Sequence, residues 1–466
     1  MIRTDFKGCF GDIRLDKRGM QLHAQLFSNA TRSIQAMASS RAEQKAFYRF
    51  LRNEKTSEQK IIDWLTGMCG RRVADKVVLS IQDTTEINLS SHTGRLQPAS
   101  GLGGLDDAQC TGFKLHPSFV VDAYTCFPIG FSDIRIWHRD PETGSKKERN
   151  YMRQPIEDKE SYKWADSSAN SKIVLSKAKA VIIVQDREGD IFSQFVTVPD
   201  DKTFLLIRSR VNRIIAGQEE KLWDALSAAE PSGRYELYIP ADSHSKRPAR
   251  NAVMEVRVKG AILPCPPNDK VNCQKTVPVY AIEAREIGVE HAEPVLWRLL
   301  TTWPIEGLED ALLAIEWYTW RWLIEELFRV LKKECYDIEG SELESGWAIR
   351  KLTVVMLDTI VKLMQMHIAY NCAEGEDPEA GMVFTPEQQQ CLAVIEQKVS
   401  GNTEKLKNPF AIGQLKWAVW VIARLGGWKG YSSQRKPGMT TLLRGLEKFS
   451  LLYEGYNLMD EDVGTR

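Results

Sequence analysis

The segment AIEWYTWRWLIEELFRVLKKE, residues 314–334, reads as one amphipathic helix with a chemical face. Arg321, Glu325 and Lys332 follow Tyr318 at offsets of three, seven and fourteen residues. At about 100° per residue all four fall within one narrow arc. That arc carries one metal-ligating carboxylate flanked by a phenol, a guanidinium and an ammonium, three groups that hold phosphate. The same pattern also describes a solvated helix face with Arg321 and Glu325 as an ion pair four residues apart. Glu326 beside Glu325 leaves the acid's register open.

Upstream, VVLSIQDTTE (77–86) and AVIIVQDREGD (180–190) read as buried strands. Each apolar run is followed by an aspartate, Asp83 or Asp186, expected at a strand's C-terminal end. Such an aspartate is often a turn residue or a helix cap. It is also placed where rigid backbone delivers a side chain to a cleft. Two Asp and one Glu on an α/β pattern suit a pair of divalent ions. Such a pair activates an oxygen nucleophile and stabilises the leaving oxygen of a phosphodiester. His116 reads as a core or hydrogen-bonded histidine.

Around these segments the periodicity gives an expected organisation. Residues 1–70 read as a helical domain, with apolar positions three and four apart and no proline. Residues 71–370 read as a mixed α/β unit. KLHPSFVVDAYT, CFPIGFSDIRIW and KTFLLIRSR are further strands, and residues 209–303 form a β-rich insertion before the 314–334 helix. Residues 140–165 read as a charged surface excursion. Residues 371–466 read as a helical domain, with Trp417 and Trp420 on an apolar stripe.

The chain has 466 residues, 43% of them hydrophobic and 27% charged, which is ordinary for a globular protein of two or three domains. Its 62 basic and 62 acidic residues cancel, so overall charge gives no support for a nucleic-acid partner. Residues 1–60 hold twelve Lys/Arg against six Asp/Glu, a local basic end that fits an anionic partner. The nine cysteines form no CxxC pair, which fits reduced thiols. With no signal-peptide core and no apolar run of bilayer length found, a cytoplasmic protein without a membrane partner is expected.

The spacing Tyr318, Arg321, Glu325, Lys332 resembles the Tyr-x2-Arg-x3-Glu-x6-Lys signature of bacterial insertion-sequence transposases with an Asp, Asp, Glu triad, and is most similar to that of the Tn-five type. In that resemblance QDTTEINLS and VQDREGDIF stand for the two aspartate motifs. GDIRLDKRG and AFYRFLRN match the DNA-binding end, SYKWA (with Lys163) precedes the second aspartate, and FLLIRSR (with Arg208) follows it. PVLWRLLTTWP and KWAVWVIARLGGW extend the likeness towards the C-terminus. The resemblance implies a ribonuclease-H-like mixed-sheet core with the β-rich insertion, between an all-α N-terminal DNA-binding domain and an all-α C-terminal dimerisation domain. It selects Glu325 over Glu326. It implies Asp83, Asp186 and Glu325 holding two Mg²⁺ or Mn²⁺ ions. Tyr318, Arg321, Lys332, Arg208 and Lys163 would grip DNA phosphate, and Trp297 and Trp322 would stack or wedge at a displaced base. Arg14, Lys17 and Arg18, with Arg49 and Arg52, would bind the transposon end. Leu15 departs from the family's consecutive arginines, which implies a different end sequence.

The implied activity is cut-and-paste transposition. One strand is nicked at each inverted-repeat end, a hairpin forms and reopens, and the 3′-hydroxyl joins target DNA, within a homodimeric synaptic complex. Two other functions fit the same residues: a catalytically idle DNA-binding or dimerising inhibitor of transposition, and a structure-selective nuclease that does not join strands. The intact acidic set and the retained basic N-terminal region favour the active enzyme.

Overall fold

The computed structural model describes residues 6–29, 31, 33–97, 100–107, 109–139, 160–239, 241, 248–267, 269, 271–289, 294–334, 336–371, 377–431 and 434–463. Most of the expected surface excursion, residues 140–159, lies outside them.

Four helices come first: α1 (Ile13–Asn29), α2 (Ile34–Met37), α3 (Arg41–Arg52) and α4 (Glu58–Arg72). Serines start three of them. Ser33, Ser40 and Ser57 accept from the backbone N–H of Ala36, Glu43 and Lys60, satisfying donors that a helix start leaves open. The strands then open with β1 (Val77–Gln82), β2 (Thr85–Asn88), β3 (Gly103–Gly104), β4 (Thr111–Asp122) and β5 (Pro128–Trp137). After α5 (Tyr162–Val174) come β6 (Ala180–Gln185), α6 (Phe192–Thr197), β7 (Thr203–Arg208) and α7 (Leu222–Ala228). Next are β8 (Gly233–Ile239), β9 (Arg250–Pro264), β10 (Thr276–Ile287) and β11 (Leu296–Thr301). The chain finishes with α8 (Leu308–Thr319), α9 (Trp322–Arg329), a π-turn (Val330–Glu334), α10 (Gly346–Asn371), α11 (Pro386–Val399), α12 (Leu415–Leu425) and α13 (Met439–Val463).

Among the described residues the strands form one mixed sheet. β1 lies parallel to β6, and β6 parallel to β7. β4 runs antiparallel to β1 and also pairs β5. This arrangement is compatible with a ribonuclease-H-like core. Every residue of β1 and of β6 is buried, because both faces of the sheet are covered. Leu79, Ile81, Ile182 and Val184 point into one core, while Val78, Val181 and Ile183 point into the other. The β-rich segment continues the same sheet: β11 pairs β7, and β10, β9 and β8 follow outward.

The helices before and after the sheet converge on α10, which packs against α1, α3, α4, α12 and α13. By length and composition α10 could cross a membrane, which corrects the sequence reading that no run was long enough. Its most apolar window is 89% buried inside the fold, so protein covers it. Three polar contacts fasten the N-terminal helices to α10. Arg350 donates from Nε and Nη2 to the two carboxylate oxygens of Glu58, each at 2.7 Å. Lys351 donates to the carbonyls of Leu51 and Asn53 at the end of α3. His23 meets Asp358 at 2.7 Å.

Candidate active site

Asp83 and Asp186 are level with each other because β1 and β6 are in register. Ile81 pairs with Val184, so the next two positions along each strand bring Gln82 beside Gln185 and Asp83 beside Asp186. Both aspartates directly follow the last residue of a strand, as expected: Asp83 follows Gln82 of β1, and Asp186 follows Gln185 of β6. Asp83 lies in a two-residue interruption: β1 and β2 pair with β4 in one unbroken register, and the strand continues beyond Asp83 without its parallel neighbour. Asp83 therefore lies level with the point where β6 stops.

Each aspartate also makes the local contact of a turn or cap residue. Asp83 Oδ1 accepts from Thr84 N–H at 2.7 Å, and Asp186 Oδ1 caps a short 3₁₀ turn by accepting from Glu188 N–H at 2.8 Å. In both, the other oxygen is left for further use. Asp83 Oδ2 accepts from Arg321 Nη1 at 2.8 Å.

The segment 314–334 is not one straight helix. α8 ends at Thr319, and the N–H groups of Arg321, Leu323 and Ile324 bond three residues back rather than four. This tightened turn falls at Arg321, which becomes the cap of α9. The expected single face is thus split across a joint and then loosened by the π-turn that carries Lys332. Arg321 still reaches Glu325, with Nη2 2.5 Å from Oε1, and so bridges Glu325 to Asp83. Its guanidinium lies 6.0 Å from the Tyr318 ring centre and 5.6 Å from that of Trp322.

The electrostatics follow from crowding acids under partial burial. Burial, then the charge of Asp186 and more weakly that of Glu325, pushes Asp83 up to about 6, although Arg321 and the Thr84 N–H oppose this. Burial raises Asp186 too, against the Glu188 N–H, Arg321 and Lys163. Tyr318 is raised by burial and held back by the charges of Arg321 and Arg208. Burial lowers Arg208. The three acids offer only hard oxygen donors, which fits a divalent cation such as Mg²⁺ or Mn²⁺. No three His, Cys, Asp or Glu side chains are already gathered for a metal among the described residues. Arg321 stands between two of the three acids and supplies the counter-charge instead.

Residues 3–56 match the family model of transposase DNA-binding domains. That match supports a transposase, with DNA as its partner. It covers α1, α2 and α3. Within it Arg14 and Lys17 are exposed on the first turns of α1, with Arg14 also paired to Asp12. Arg18 is half-buried and lies 5.9 Å over the Phe47 ring. Arg49 and Arg52 are exposed on α3, beside a cavity of about 330 Å³ shared with Lys45, Glu342 and Glu344. Arg52 pairs with Glu344 at 3.4 Å.

The remaining expected residues divide by distance from the acids. Arg321 touches Asp83 and Glu325, Tyr318 feels the charge of Asp186, and Arg208 lies near Tyr318. Lys163 acts on Asp186, pairs with Glu188 at 3.6 Å and lies over the rings of Trp137 and Trp164. Lys332 is held by Glu339 at 3.3 Å. Trp322 is 63% exposed beside Arg321. Trp297 is half-buried on β11 opposite Ala284, packed against the core.

Sequence reasoning missed the support beneath the aspartates. Gln185 Nε2 donates to Gln82 Oε1 at 2.9 Å, and Gln185 exchanges two bonds of 3.0 Å with Gln194. Ser168 joins this buried group, and Gln194 also donates to the Gly189 carbonyl at 2.7 Å. A side chain at Gly189 would collide with Gln185 Oε1, so glycine lets the turn after Asp186 close over the amide. A signal was present: the same Gln-Asp pair follows both apolar runs. Also missed was Glu339, which accepts from the Asn88 N–H at 2.9 Å while holding Lys332.

Proposed function

We propose that this protein is a cut-and-paste DNA transposase whose Asp83, Asp186 and Glu325 form a metal-dependent site for cutting and joining phosphodiesters. The observation that carries the reading is the level placement of Asp83 and Asp186 on adjacent parallel strands, with Arg321 bridging Asp83 to Glu325, in a chain whose first helices match transposase DNA-binding domains.

Asp83, Asp186 and Glu325 would hold two divalent ions, Mg²⁺ or Mn²⁺. Bound there, the ions activate an oxygen nucleophile and stabilise the departing oxygen of an in-line displacement. Tyr318, Arg321 and Arg208 form a cationic and phenolic wall beside the acids, suited to a phosphate through charge-assisted hydrogen bonds. Lys163, which acts on Asp186, and Lys332 would add further phosphate contacts. Trp322 offers an exposed ring on which a displaced base can rest, as hairpin formation requires of a bent duplex. Arg14, Lys17 and Arg18 on α1, with Arg49 and Arg52 on α3, bind the transposon end. One site serves nicking, hairpin formation, reopening and strand transfer, because each step exchanges one oxygen at phosphorus for another. Two copies of the chain hold the two ends.

The bridging position of Arg321 favours one alternative, a DNA-binding inhibitor whose acids are permanently neutralised. Incubating the protein with Mn²⁺ and linear DNA carrying the sequences that flank its coding region separates the readings. Hairpin and strand-transfer products that vanish in Asp186→Ala support the transposase. Binding without any cleavage supports the inhibitor, and cleavage without joining supports a nuclease.

A further inference from the structure

Among the described residues Arg321 is the one that touches two of the three acids, and its setting is incomplete. Nη1 and Nη2 serve Asp83 and Glu325, yet the Nε–H is buried without a hydrogen-bond acceptor among the described residues. A guanidinium meant for a permanent structural bridge would use that donor as well, because a buried unpaired N–H is costly. The residue also sits at the joint between α8 and α9, where bonding three residues back has replaced the regular helical ladder. Beside it, the exposed ring of Trp322 lies 5.6 Å from the guanidinium carbon.

We propose that Arg321 is a resident counter-cation: it holds Asp83 and Glu325 in the DNA-free protein, and a divalent cation at these acids displaces it toward DNA phosphate. This rests on the transposase reading above and adds a competition to it. Cation and guanidinium neutralise the same two carboxylates, so each weakens the other's hold, and reciprocally. The DNA-free protein therefore binds divalent ions poorly. It also keeps its acids from scattering under their own repulsion. A phosphate that takes Arg321 away makes room for the ion, so cation loading is tied to the presence of DNA.

The test is Mn²⁺ binding by the full chain without DNA, read from the loss of the free-ion electron paramagnetic resonance signal. Wild type, Arg321→Gln, Asp186→Asn and the double variant are compared. Arg321→Gln should lower the Mn²⁺ dissociation constant about tenfold or more, and Asp186→Asn should abolish the gain. Equal or weaker binding by Arg321→Gln, with binding still dependent on Asp186, overturns the counter-cation and leaves the metal site standing. Binding in no variant, or binding indifferent to Asp186, removes the metal site and this inference with it. If circular dichroism shows Arg321→Gln unfolded, Arg321→Lys replaces it. An ammonium reaches one acid at a time, so at least a threefold tightening is expected, and its absence overturns the proposal.

Discussion

Asp83 and Asp186 stand at the same height on adjacent parallel strands, one residue above the hydrogen-bonded amides of Gln82 and Gln185. The amides are buried and join Gln194 and Ser168, so the backbone beneath both carboxylates is tied side to side. This gives a fixed spacing between two acids that repel each other.

Replacing Gln185 by Leu should therefore disturb the site without touching an acid. The change leaves Gln82 Oε1 buried without a donor, at about 1–3 kcal/mol, and takes one partner from each amide atom of Gln194. The expected result is a lower urea midpoint with unchanged slope, together with a loss of DNA cleavage. Wild-type stability in the variant would show that the ladder does not hold the strand ends.

Asp83 gives a pH signature in protein kept free of divalent ions. Its carboxyl is raised from 3.8 to about 6 by burial and by Asp186, so the folded protein binds its proton more tightly than the unfolded chain does. The resulting stabilisation is complete below pH 3.8 and is lost as pH rises through about 6. It amounts to ~3 kcal/mol at most. Denaturation of wild type and Asp83→Asn from pH 4 to 7 should show the wild type falling relative to the variant by up to that amount. Parallel profiles would remove the crowding of the acids as the cause.

Lys351 offers a test of how the N-terminal helices are anchored. Burial lowers its affinity for a proton, yet its ammonium caps the carbonyls of Leu51 and Asn53 at the end of α3. Lys351→Met keeps the stem and deletes the cap. A loss of about 1–3 kcal/mol is expected from the unpaired carbonyls. Amide exchange should quicken first in α3; uniform quickening across the chain would show that α3 has no separate dependence on this lysine.

The two aromatic candidates differ in exposure, and the difference sets their expected behaviour. Trp322 is 63% exposed, whereas Trp297 packs on the core. Trp322→Ala should leave stability within about 0.5 kcal/mol of wild type, as is usual at the surface. It should slow hairpin formation more than first nicking, by gel assay. Trp297→Ala should lower the melting temperature as well. Equal loss at both steps in Trp322→Ala would argue against a stacking role.

Much of the sheet was legible because its strands are bounded sharply and buried on both faces, so VVLSIQ and AVIIVQ read as continuous apolar runs. The parallel register that levels the two aspartates was not legible, since no local feature fixes which residues of two distant strands pair. The 314–334 segment was legible as helical, but its period assumes a constant turn. The tightening falls at Arg321, whose contact to Asp83 lies outside any local window. The apolar length of α10 was spread among polar residues such as Arg350, Lys351 and Asp358, whose partners on α1, α3 and α4 appear only in the folded chain.

The basic end of α1 should be readable in the salt dependence of DNA binding. Arg14 and Lys17 are exposed and three residues apart, so both can meet one stretch of backbone phosphate, while Arg18 is partly committed to Phe47. Each phosphate neutralised releases condensed counterions and contributes ~0.9 to the slope of log affinity against log salt. Changing Arg14 and Lys17 together to Gln should weaken binding and reduce that slope by ~1 to 2, with little effect on folding. Changing Arg52, already paired with Glu344, should alter the slope less. The measurement is fluorescence anisotropy on end-bearing DNA between about 50 and 200 mM salt. An unchanged slope in the Arg14 and Lys17 double variant would place the phosphate contacts elsewhere on the N-terminal helices.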